Sequence, residues 1–76
     1  MNEAQKQMLG RVERYENTED GHSKFWELTV IQQGHGLALE AGWGKIGKAP
    51  QGTKVYSLEE ADKLIREKTA KGYEKV

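Results

Sequence analysis

The chain has 76 residues, 36% hydrophobic and 32% charged, with twelve Lys and Arg balanced by twelve Asp and Glu. At this length one domain is expected, with a core contributing no more than about 3–5 kcal/mol net. The absence of cysteine excludes disulfides and a cysteine-ligated zinc as reinforcement. No apolar run approaches the roughly 18 residues of a membrane span.

Residues 1–9 carry no sustained period and are expected as a loose arm ahead of a domain over 10–76. Gly10 to Tyr15 alternates charged and apolar side chains, which predicts a short edge strand. Asn17 to Ser23 is polar and ends in turn chemistry. Lys24 to Gln32 is the clearest strand, with Trp26, Leu28 and Val30 on one face and Phe25, Thr29 and Ile31 on the other. Apolar residues on both faces place it centrally in a sheet.

Gly34-His35-Gly36 reads as a hairpin turn. The next strand runs from Leu37 to about Ile46, with Leu37, Leu39, Ala41 and Trp43 sharing a face. Gly42 and Gly44 flank the tryptophan, as glycines do where a ligand or another backbone comes close. Pro50 ends the ladder, and Thr53 to Tyr56 makes a short fourth strand. Ser57 and Glu60 then form a capping box. Leu58, Ala61, Leu64, Ile65 and the stem of Lys68 follow as one helical stripe. Glu59/Lys63, Asp62/Arg66 and Glu67/Lys71 are i,i+4 pairs on the outer face, and Gly72 is placed to stop the helix. The fold class is α+β: an antiparallel four-stranded sheet with one C-terminal helix packed across one face.

Most chemical motifs fail on inspection. Gly42 to Lys48 fits the glycine and lysine spacing of a phosphate-binding loop, but Ala49 cannot hold magnesium and no helix follows. His22 and His35 lack ligand spacing for a metal, and no Ser/His/acid set is visible. Neither a catalytic residue, a metal nor a cofactor is expected, and the chain is not read as an enzyme. With no signal peptide at its start, it is expected in the cytoplasm with no membrane partner.

Charge is unevenly distributed, net −3 over residues 1–40 and +3 over 41–76. Residues 41–56 hold Lys45, Lys48 and Lys54 and no acid. A tryptophan between glycines, bordered by lysines, suits a stacked base or sugar with a neutralised phosphate backbone. The same pattern also describes a core tryptophan beside solvated lysines.

Phe25-Trp26-Glu27-Leu28, Gly42-Trp43-Gly44-Lys45-Ile46-Gly47, Gly52-Thr53-Lys54, the capped helix and Lys71-Gly72-Tyr73 together resemble the WGR domain over residues 10–76. That family, named for a Trp-Gly-Arg signature, includes modules of DNA-dependent poly(ADP-ribose) polymerases, MolR-like regulators and small stand-alone bacterial proteins. The resemblance implies a nucleic-acid partner, DNA ahead of RNA, contacted by Trp43, Gly44 and Lys45. Lys48 and Lys54 are added on electrostatic grounds. The third signature position is lysine here, so the planar fork of arginine is lost. The alternative partner is a separately encoded protein.

Overall fold

A two-residue turn sets the frame of the sheet. In the computed structural model, which describes residues 2–76, strands β2 (Lys24–Gln33) and β3 (Gly36–Lys45) are joined through Gly34-His35. Gly34 takes φ +59, while Gly36 stays in the ladder opposite Gln33. So short a connection fixes the register. Trp26 stands opposite Trp43, Leu28 opposite Ala41 and Val30 opposite Leu39.

The sheet has five strands, one more than expected. Strands β1 (Val12–Asn17), β4 (Gly52–Ser57) and β5 (Glu74–Lys75) complete an antiparallel sheet of order β4-β3-β2-β1-β5. Two charged residues carry no readable period, which is why β5 is silent in the sequence. It pairs with Tyr15 and Glu16, so β1 is an edge strand only over its first half. The expected arm also differs. Glu3–Met8 forms a short helix, α1, in which Asn2 accepts from the Gln5 N–H at 2.8 Å and Gln5 accepts from the Asn2 N–H at 3.0 Å. This is a capping box with asparagine in place of Ser or Thr. None of its residues is buried, and Met1 lies outside the described residues.

At the other end, the Ser57 N–H and hydroxyl both donate to Glu60 Oε2, at 2.9 and 3.2 Å. One 3-10 turn, Leu58–Glu60, leads into helix α2 (Ala61–Ala70). The helix stops as expected: Gly72 takes φ +98, its N–H donates to the Thr69 carbonyl, and the Tyr73 N–H reaches back to Lys68. The outer-face ion pairs do not form; the salt bridges among the described residues are Arg14 with Glu16 and Glu27, and Lys75 with Glu13. Arg66 donates instead to the Asp62 carbonyl. Exposed pairs of this kind gain too little to hold two long side chains in place.

Helix α2 lies across one face of the sheet, over a core of Tyr15, Trp26, Leu28, Leu39 and Ala41, with Leu64, Ile65 and Tyr73 packed against it. Tyr15 and Trp26 meet at 5.5 Å between ring centroids. On the opposite face Phe25 is also buried, under the Arg14 guanidinium 4.4 Å above its ring. Hydrogen bonds to Glu16 and then Glu27 hold that guanidinium charged, raising its pKa further.

Candidate nucleic-acid interface

The hairpin register decides what stands beside Trp43. Alternation puts Lys24, Trp26, Trp43 and Lys45 on the helix-bearing face at one end of the sheet, with Lys24 directly opposite Lys45. Helix α2 seals Trp26, which is 2% exposed, but leaves Trp43 38% exposed. The Trp43 indole lies across Gly52, its partner on β4. A Cβ at Gly52 would stand 2.7 Å from the indole Cζ2, so glycine there gives the ring its seat.

Lys68 of α2 faces the same corner, its ammonium 5.7 Å from the Trp26 ring and 5.5 Å from the Tyr73 ring. Its pKa is lowered, chiefly by burial and next by Lys71, with Glu67 opposing. Lys24, Lys45, Lys68 and Trp43 thus border a depression of about 220 Å³, closed by Gly44, Gln51 and Tyr73. No carboxylate lines it. Like charges directly opposite on neighbouring strands are unfavourable by some tenths of a kcal/mol to about 1 kcal/mol. Three lysines bordering one hollow beside a partly open aromatic surface are an arrangement chemically suited to an anion.

Of the residues singled out in the sequence, Trp43, Gly44 and Lys45 meet here. Lys48 sits in the exposed turn after β3, and Lys54 points along β4 with its ammonium 5.1 Å from the Tyr56 ring. Neither borders the depression. Among the described residues, no carboxylate lies within ion-pair distance of any of these lysines.

Gly44 has a role other than leaving space for a ligand. It is buried, and a Cβ there would meet Gln51 N at 3.1 Å, Ala49 O at 3.3 Å and Phe25 Cε1 at 3.2 Å. The connection between β3 and β4 passes directly over it, anchored by the Gln51 N–H on the Trp43 carbonyl. Gly44→Ala is therefore expected to lower stability by about 1–3 kcal/mol, read as a fall in Tm with no change in charge.

Lys24, Gln51, Lys68 and Tyr73 join the depression without being among the binding residues expected from the sequence. The signal for Lys24 was available: a two-residue turn at Gly34-His35 sets it opposite Lys45 by counting back along both strands. Lys68 was visible as a lysine within an apolar stripe. Its approach to the lysines of the hairpin depends on how α2 crosses the sheet, which no local pattern states.

Among the described residues, no helix is long and apolar enough to cross a membrane, and no cluster of His, Asp and Glu is placed to hold a metal ion. Neither a curated protein nor a solved structure matches the chain. A family model, described as the WGR domain, matches residues 6–76. The chain belongs to the WGR domain family, a family of nucleic-acid-binding modules.

Proposed function

We propose that this WGR domain acts by binding and not by catalysis, holding DNA at its backbone and ends. Trp43 is the stacking surface, Lys24, Lys45 and Lys68 are the phosphate ligands, and Lys48 and Lys54 add to the surrounding positive field. The observation that carries this reading is the facing of Lys24 and Lys45 across β2 and β3, with Lys68 above and no acid in the lining. A phosphate converts that repulsion into attraction. Zero net charge does not oppose it, because a ligand is steered by the local field.

Recognition of this kind reads charge and an exposed ring, so little dependence on base sequence is expected. With about three phosphates neutralised, log Kd should rise with log salt with a slope near 2.7. Affinity for a labelled duplex with a free end should then fall about fortyfold from 50 to 200 mM salt. Fluorescence anisotropy measures this directly. No binding at the lower salt, or binding indifferent to salt, would remove the proposal.

A further inference from the structure

Strand β4 is the edge of the sheet opposite β1 and β5, away from the segment that ends at Val76. Thr53, Lys54 and Val55 are exposed there, and no strand lies beyond them among the described residues. The direction of its backbone groups follows from the central hairpin. A two-residue turn closes on a hydrogen-bonded pair, here Gln33 with Gly36. Backbone groups along an antiparallel strand bond alternately to either side. Gly36 and every second residue after it therefore bond to β2, while Leu39, Ala41 and Trp43 bond to Tyr56, Lys54 and Gly52. The N–H and C=O of Thr53 and Val55 are left turned outward, away from β3.

Alternation sorts the side chains of this edge as well. Lys54 and Tyr56 stand on the face carrying α2, with the Lys54 ammonium 5.1 Å from the Tyr56 ring. Val55, 43% exposed, stands on the other face. A second copy brought up antiparallel about a two-fold axis has few registers that join outward groups to outward groups. Thr53 opposite Val55 sets Lys54 directly against Lys54, which is unfavourable. Thr53 opposite itself shortens the ladder to residues 52–54, and Val55 opposite Ser57 shortens it to 55–57. Val55 opposite itself keeps residues 53–57 of both copies in the ladder and sets each Lys54 across from Tyr56 of the second copy.

We propose that the chain forms a two-fold dimer by joining β4 edges, Val55 facing Val55, in one continuous sheet. Each Lys54 ammonium then lies between two tyrosine rings, its own and that of the second copy, an arrangement that attracts a cation. A lysine on an edge strand ordinarily discourages pairing; here it selects one register. The surface is isologous, as a closed dimer requires. It is also small, so the dimer is weak and forms at high concentration. None of the residues lining the lysine corner lies within 53–57, so the proposal does not depend on the nucleic-acid reading.

Sedimentation equilibrium of the full chain should show its mass rising from one copy toward two between micromolar and millimolar concentration. Val55→Pro tests the ladder. The Val55 N–H points away from β3, so proline is compatible with this edge but removes the paired bonds at the two-fold axis. Losing two bonds should weaken association by about 5- to 150-fold. Single cysteines read the register, since the chain has none of its own. Facing residues of a hydrogen-bonded pair have Cα atoms about 5.5 Å apart, within reach of a disulfide. In a glutathione redox buffer, Val55→Cys should cross-link about tenfold faster than Thr53→Cys or Lys54→Cys, whose counterparts lie further along the ladder. A single-copy mass at millimolar concentration, undiminished association of Val55→Pro, or cross-linking as fast from position 53 or 54 would each overturn the proposal.

Discussion

Lys45→Glu is expected to stabilise the fold and abolish most DNA binding, two changes of opposite sign from one substitution. Lys45 faces Lys24 across the ladder, so a carboxylate there replaces a repulsive cross-strand pair with an attractive one. Opposite charges in that geometry contribute about 0.2–1 kcal/mol. Taking the middle of that range, a domain of this size should gain about 2–5 °C in Tm. Binding should respond the other way. One phosphate ligand is lost, which lowers the salt slope by about one, and a negative charge now lines the hollow. Affinity for the duplex at about 0.1 M salt, where the Debye length is near 10 Å, should drop at least tenfold. Lys24→Glu should behave alike. The double variant restores like-charge repulsion with the sign reversed, so it should lose the gain in Tm without recovering DNA. A thermal melt and an anisotropy titration on the three variants and the parent chain suffice. If Lys45→Glu left affinity intact, the lysine corner would be ordinary solvated surface.

The contrast between what the sequence announced and what it withheld has a physical origin. The central hairpin and the capped helix were legible because local rules determine them: alternation over ten residues, a glycine able to adopt φ +59, a serine and glutamate three apart. Trp26 and Trp43 stand opposite one another, each two residues from the same end of the hairpin, so position alone does not separate them; helix α2 covers the first and leaves the second partly open. Strand β5 escaped because two residues cannot display a period; α1 carried a readable cap in Asn2 and Gln5, but no apolar stripe behind it. The site was half legible. Trp43 and Lys45 share a segment, but Lys68 and Tyr73 come to them only through tertiary packing. Gly44 shows what a pattern leaves open: glycine there allowed close approach of a ligand or of another backbone, and it is the connection after β3, with Phe25, that comes close.

The two tryptophans provide the strongest separation of fold from function. Trp26 is sealed beneath α2, with Tyr15 against its ring and the Lys68 ammonium over it. Truncating so large a core side chain costs about 3–5 kcal/mol. That is as much as the roughly 3–5 kcal/mol net that one core supplies in a chain of 76 residues. Trp26→Ala should therefore be largely unfolded at 37 °C, losing near-ultraviolet circular dichroism and DNA binding together. Trp43 rests on Gly52 at the rim, and its removal should cost the fold about 1 kcal/mol while forfeiting a stacking contact of about 1–3 kcal/mol. That corresponds to a roughly 5- to 150-fold loss in affinity at unchanged secondary structure. Trp43→Phe, which keeps a flat ring over Gly52, should recover much of it. With the indole as the proposed stacking surface, fluorescence of the unmodified protein should also change on adding duplex, and that change should vanish in Trp43→Phe. Should Trp43→Ala instead melt like Trp26→Ala, or bind duplex as tightly as the parent chain, then the rim tryptophan serves packing and the stacking role fails.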